Sequence, residues 1–158
     1  MMAMKEIKLT QNKMALVDDE DFEYLNQWKW FAHKSPRNAK VYYGGRSIRG
    51  QKQILIHRVI TDAPDGLKVD HINGDGLDNR KANLRICSNS QNGMNRGANK
   101  NSKSKEKCVS WHGKEKRWRV KIKANHKEFL IGHFKSKDDA IEAKRKAIVI
   151  LHGEFAHF

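Results

Sequence analysis

Cysteine is nearly missing from this 158-residue chain: Cys87 and Cys108 stand alone. That excludes a disulfide framework, and it excludes a four-ligand zinc site of the Cys-x-x-Cys type, so the expectation is no structural zinc. Long apolar runs are also missing. No stretch approaches the roughly 20 apolar residues of a spanning helix, and the start of the chain lacks the apolar run of a signal peptide. The expectation is a soluble, cytoplasmic protein without a membrane partner. Acidic side chains are in short supply too, with 18 Asp and Glu against 32 Lys and Arg, a formal net charge of +14. Such a balance calls for an acidic partner, nucleic acid first. The excess is uneven: residues 1–96 hold 16 basic and 11 acidic side chains, residues 97–158 hold 16 and 7. The basic partner surface is therefore expected in the last third.

The first part reads as short strands with turns, at 7–10, 14–17, 28–33, 41–44 and 53–57, with a short helix starting at Asp19. Leu16, Phe22, Leu25, Trp28, Trp30, Phe31, Tyr42 and Tyr43 suit a small core. Residues 94–107 are rich in Asn, Ser and Lys and almost devoid of large apolar side chains, so beyond the first few they read as a solvated linker. After it, Val109, Trp111, Trp118, Val120 and Ile122 alternate with Ser110, Arg119, Lys121 and Lys123, the period of strands with one buried and one basic face. A third strand is expected over 129–134. Ser136 followed by Asp139 resembles a helix start, Ala140, Ala143, Ala147, Ile148 and Leu151 repeat at helical spacing, and Gly153 ends the run.

The stretch from Val69 to Asn92 carries the chemistry. A strand ending near Ile72, a turn-rich loop, a partner strand over 84–87 and a helix start at Ser88 with Gln91 would bring Asp70, His71 and Asn83 near Asn92. Asp70 and Asn92 are hard oxygen donors of the kind Mg²⁺ prefers. His71, with an ordinary pKa near 6.5, suits the base that deprotonates an attacking water, with Asn83 fixing its ring by accepting a hydrogen bond from the other nitrogen. A calcium loop through Asn73, Asp75 and Gly76 fails on spacing, since Ala82 falls where the bidentate Glu must be. Ordinary turn chemistry is the bland alternative.

Residues 57–92, with His-Arg at 57–58, Val-Asp-His-Ile-Asn-Gly-Asp at 69–75, Asp-Asn-Arg-x-x-Asn-Leu-Arg at 78–85 and Asn92, resemble the HNH endonucleases and their ββα-metal site, of phage or homing type. The resemblance implies metal binding by Asp70 and Asn92, one Mg²⁺ or Mn²⁺ per site, general-base action by His71 and its orientation by Asn83. The final His of the motif is Asn92 here, which favours a single hard cation over zinc. Residues 105–155 resemble the DNA-binding domain of plant ethylene-response factors, on Val-Ser-Trp-His at 109–112, Trp-Arg-Val-Lys-Ile at 118–122, Ile-Gly-His-Phe at 131–134 and Leu-His-Gly-Glu-Phe at 151–155. That resemblance implies a sheet in the major groove of duplex DNA with Ser110, His112, Arg119, Lys121 and Lys123 facing it. Cys108 departs from it, since a Gly usually precedes the Val. Leu-Val-Asp-Asp-Glu-Asp at 16–21 is typical of phage HNH proteins, with no chemistry attached.

The expected fold is α+β: an HNH domain over 1–97, made of a β-rich segment 1–56 and a core 57–97, a linker 98–107, and a three-stranded sheet packed on one helix over 108–158. Arg80 and Arg85 flank the hairpin as phosphate contacts or plain surface charge. His57 reads as a buried, hydrogen-bonded histidine or a phosphate contact rather than a metal ligand, and His133 and His152 as structural. The expected activity is metal-dependent cleavage of duplex DNA, as a monomer or weak dimer without an obligate partner, in the host cell of a phage or mobile element. A non-catalytic DNA-binding regulator is the rival, which the intact Asp70, His71, Asn83 and Asn92 oppose. An RNA binder is the third, without the exposed aromatic platforms it needs.

Overall fold

The computed structural model describes residues 4–36, 38–98 and 101–156. It is α+β, and the chain divides into two compact units, Met1–Cys87 and Ser88–Phe158. The expected boundary lay near residue 97; here Ser88 to Gly97 group with the second unit. No described helix is long and apolar enough to cross a membrane.

The first unit opens with a hairpin of β1 (Met4–Lys8) and β2 (Met14–Asp18), whose register pairs Ile7 with Ala15. Alternation sends Ala15 and Val17 inward. Helix α1 (Asp19–Leu25) follows at once, with Asp19, Glu20 and Asp21 in its first turn, where carboxylates favour the helix dipole. Strands β3 (Phe31–Lys34), β4 (Tyr42–Arg46) and β5 (Ile54–Leu55) form an antiparallel sheet in chain order. Their core partners are Ile7, Leu9, Val17, Leu25, Trp30, Ala32 and Ile56. Gly44 is required under Ile56, because a Cβ there would collide with the isoleucine side chain.

One expected strand is corrected. Residues 53–57 give only the two-residue β5, and Ile56–Thr61 is a helix, α2, which puts His57 in its first turn. Ile56, Val59 and Ile60 recur at helical spacing and all join the core, which outweighs the β propensity of the Ile-Leu-Ile run. Asp62, in the left-handed region at φ 45°, ends the helix. Strands β6 (Lys68–His71) and β7 (Leu84–Cys87) then form an antiparallel hairpin, joined by a loop that closes in a 3₁₀ turn at Lys81–Asn83.

The second unit begins with α3 (Asn89–Met94), whose capping box is complete: Gln91 N–H donates to Ser88 Oγ and Ser88 N–H to Gln91 Oε1. Strands β8 (Val109–His112), β9 (Arg117–Ala124) and β10 (Lys127–Phe134) form an antiparallel sheet with β9 in the centre, and α4 (Lys137–His152) packs on it. Asp139 N–H donates to Ser136 Oγ at 3.1 Å, the expected cap, and Gly153 at φ 54° ends α4. Val109, Val120, Ile122, Ala140 and Ile148 form its core.

Composition suggested a solvated linker; Asn101, Lys103 and Lys105 are exposed, but Ser104 is buried and Ser102, Glu106 and Lys107 are half-buried, and residues 99 and 100 of that expected linker lie outside the described residues. The buried Ser104 hydroxyl donates to the Val109 carbonyl at 2.6 Å. Glu106 pairs with the buried Lys144 ammonium at 2.9 Å, and Lys144 holds the Glu106 carboxyl below its usual range. Lys107 Nζ donates to the carbonyls of Gly93 and Met94 at 2.9 and 2.5 Å, closing the last turn of α3. A lysine-rich segment looks solvated to any composition rule, yet the Lys107 ammonium reaches carbonyls 13 and 14 positions back, and Glu106 accepts from the Lys144 ammonium 38 positions on.

Candidate active site

The β6–β7 register places Asp70 opposite Arg85 and His71 opposite Leu84. Directly opposed side chains on one face meet. Arg85 accordingly donates from Nε and Nη2 to Asp70 Oδ2 at 2.9 and 2.7 Å, with both side chains largely buried. The pair fixes the rotamer of the carboxylate, and Arg85 is not the open surface charge that the hairpin position suggested. Arg80 is likewise committed, with Nε and Nη2 on the two oxygens of Asp78 at 2.7 and 2.6 Å. That bond is the main reason the Asp78 carboxyl sits below its usual range. The Arg80 side chain is still 41% exposed.

His71 is 6% exposed and its pKa is lowered, burial outweighing the opposing effects of Asn79 and of the charges on Asp70, Asp75 and Asp78. The imidazole is therefore neutral at neutral pH, the form that can accept a proton. Its ring sits in a cluster with Tyr43, at 5.8 Å between centroids, and His57, at 5.1 Å and edge-on. His57 is itself buried, its Nδ1 has no hydrogen-bond partner among the described residues, and burial followed by the neighbouring His71 lowers its pKa to about 3.

Asn83 corrects an expectation. Its carboxamide is used by the loop: Nδ2 donates to Asn73 Oδ1 and to the Asp78 carbonyl at 3.0 and 2.8 Å, and Oδ1 accepts from Asn73 N–H at 3.0 Å. The loop between the strands buries polar backbone that must be paired, and Asn83 does the pairing. The side chain facing His71 Nε2 is Asn79, with its Oδ1 at 3.4 Å. Asn79 is fully buried. The sequence did carry a signal for it, an Asn inside the Asp-Asn-Arg run, but nothing local distinguished that Asn from Asn73 or Asn83. Asn92 stands on α3 in the second unit, and its assignment as a metal ligand rests on the resemblance.

Asp70 and its surroundings bear on which ion could be held. Among the described residues no three His, Cys, Asp or Glu side chains gather into a metal cage. A buried carboxylate beside a neutral imidazole fits a hard divalent cation that keeps most of its waters, and fits a closed zinc site poorly.

On the second unit, Ser110, Arg119 and His133 lie in one row across β8, β9 and β10. Alternation puts Lys121 and Lys123 on that face and Val120 and Ile122 on the opposite, buried one. The predicted basic face is thus assembled as a sheet surface, with two additions. Glu128 partly neutralises it, 2.5 Å from Lys121 Nζ and 3.9 Å from Lys123 Nζ. His133, read as structural, stacks on His112 with centroids 5.6 Å apart, and both face Glu115. His152, by contrast, meets the structural reading, its Nε2 lying 2.9 Å from the Lys123 carbonyl.

The family model described as HNH endonuclease matches residues 55–94. The chain is also similar to "Protein 3.8" of Escherichia phage T7, with 31% identity over 97 residues that cover 60% of this chain and 78% of that protein. No solved structure matches it.

Proposed function

Because this chain belongs to the HNH endonuclease family and has a phage protein among its relatives, we propose that it hydrolyses phosphodiester bonds of duplex DNA with a divalent cation. The observation that carries this reading is the adjacency, at the end of β6, of a buried carboxylate fixed by Arg85 and a buried, neutral histidine.

His71 takes a proton from the attacking water as its oxygen bonds to phosphorus. The bond from phosphorus to the leaving sugar oxygen breaks, and that oxygen is protonated from solvent. Asp70 would hold the cation, Mg²⁺ or Mn²⁺ in this reading, and the family resemblance implies Asn92 as a second oxygen donor. When bound, the cation stabilises the charge that develops on the phosphate and leaving oxygens. Asn83 acts at one remove: its side chain closes the loop 73–78, and its carbonyl accepts from Ile72 N–H at 2.9 Å, directly after His71. Tyr43 and His57 pack the imidazole in place.

The second unit supplies the duplex contact through Ser110, His112, Arg119, Lys121 and Lys123, in the manner of the ethylene-response-factor domain it resembles. The outward row of cations on a sheet supports this, as does the excess of basic residues after residue 97. Arg80 adds a phosphate contact through the exposed part of its guanidinium. One site per chain cuts one strand. The test is supercoiled plasmid incubated with the protein in Mg²⁺ or in EDTA: nicked circles that form only with the metal support the reading, and undiminished cutting in chelator overturns its metal step.

A further inference from the structure

The Leu-Val-Asp-Asp run at 16–19 has no chemistry of its own, yet the structure ties it to the candidate base through a short chain of bonds. Strand β2 lies against the loop that ends β6: Leu16 N–H donates to the Leu77 carbonyl and Asn79 N–H to the Leu16 carbonyl, both at 2.8 Å, and Leu16 bridges Asp78. Asp18 occupies the N-cap position of α1 but makes no side-chain cap bond there. Its Oδ2 accepts instead from Lys81 N–H at 2.8 Å, 63 positions along the chain. The segment 77–81 is thus pinned on both sides of Asn79 by the N-terminal hairpin.

Within that grip the Asn79 carboxamide has one orientation. Its Nδ2 donates to the Leu77 carbonyl at 3.0 Å. Turning the amide over would set its oxygen against that carbonyl and leave two acceptors facing each other. Oδ1 is therefore the atom presented to His71 Nε2. An amide oxygen only accepts, so the ring nitrogen opposite it must carry the proton.

We infer that Asn79, held by the N-terminal hairpin through Leu16 and Asp18, is a positioning residue that fixes His71 as the Nε2–H tautomer and leaves Nδ1 as the atom that accepts the proton of the attacking water. The inference deepens the nuclease reading and rests on it for the catalytic consequence, but the tautomer is measurable without metal or DNA. It also gives the hairpin a purpose: it is a brace for the base.

The experiment is ¹⁵N spectroscopy of the histidine rings in the full-length, metal-free chain near pH 8, with His71 assigned by its loss in His71→Gln. The expected wild-type spectrum shows a protonated Nε2 and an unprotonated Nδ1. In Asn79→Leu both resonances move toward the average of the two tautomers, and single-turnover nicking falls at least about ten-fold with DNA affinity unchanged. Asn79→Asp, whose carboxylate accepts the same bond, restores the Nε2–H signature. Asp18→Ala, which removes the Lys81 anchor, shifts the resonances in the same direction as Asn79→Leu by a smaller amount. A wild-type ring protonated on Nδ1 overturns the inference at once, whatever the variants do, and so does an Asn79→Leu ring that keeps the pure Nε2–H form. A chain with the expected tautomer that never nicks plasmid sinks the nuclease reading and leaves the brace standing. One that nicks with the opposite tautomer does the reverse.

Discussion

Both units have an apolar core, but the first buries far more polar side chains than the second. In the first, the interior around the β6–β7 hairpin is polar: Asp18, His57, Asp70, His71, Asp78, Asn79 and Asn83 are all buried. In the second, the core is Val109, Val120, Ile122, Ala140 and Ile148, and most of the basic residues lie outside it, with Lys144 paired to Glu106 as the exception. Burying polar groups costs stability unless each finds a partner, and leaving cations in water costs little. A fold that accepts the first cost holds reactive groups at fixed distances, and one that avoids it offers a surface to a charged polymer. The division of labour proposed above, with the base in one unit and the duplex surface in the other, rests on this contrast.

The sharpest way to break the contrast is His71→Ala. A general base contributes about 10²–10⁴-fold, so nicking of plasmid should fall by that much while duplex affinity, measured by titration, stays within about two-fold. A variant that cuts within a few-fold of the parent removes His71 from the mechanism and the first unit from the chemistry.

The reciprocal change is Arg119→Ala, Lys121→Ala and Lys123→Ala together. Each phosphate neutralised contributes about 0.9 to the log–log salt dependence of duplex binding, so the slope should flatten by about two to three. Nicking at saturating DNA and low salt should be nearly unchanged. An unaltered slope would mean that duplex is held elsewhere, and the second unit would lose its role.

Acid should separate the units by stability. The His57 pKa is about 3 in the folded chain and near 6.5 when unfolded, so between those values the unfolded form binds the extra proton. Stability from this group is complete above pH 6.5 and declines as pH falls, by about 1.4 kcal/mol per unit, until pH 3. Burial also lowers His71, in the same direction. In the second unit His152 shifts the same way, but its bond to the Lys123 carbonyl opposes the effect of burial. Hydrogen exchange at pH 7 and pH 5 should therefore show protection lost sooner in β6 and α2 than in β9 and α4. Equal losses would contradict the contrast in burial.

The smallest effect is expected at a helix start. Ser136→Ala removes the acceptor for Asp139 N–H, a cap of typically about 1 kcal/mol. A denaturant melt should register that loss with no change in nicking at low salt. A fall in nicking as large as that of His71→Ala would tie α4 to the chemistry and undo the separation.

Where residues act through near neighbours, the sequence by itself determined the outcome. The Ser88–Gln91 capping box, the buried and basic faces of β9, the long helix from Ser136 to Gly153 and the β6–β7 hairpin bearing Asp70 and His71 were legible, because caps, alternation and helical spacing are properties of contiguous residues. The tertiary structure decided what depends on which distant segment arrives where. It turned 56–61 from strand to helix by giving Ile56, Val59 and Ile60 a core to fill. It paired Glu106 and Lys107 inside a stretch whose composition reads as linker. It set Asn79 rather than Asn83 against His71, through a hairpin more than 60 residues upstream. Three asparagines in one loop have the same donors and acceptors, and only the direction in which the folded backbone points each carboxamide tells them apart.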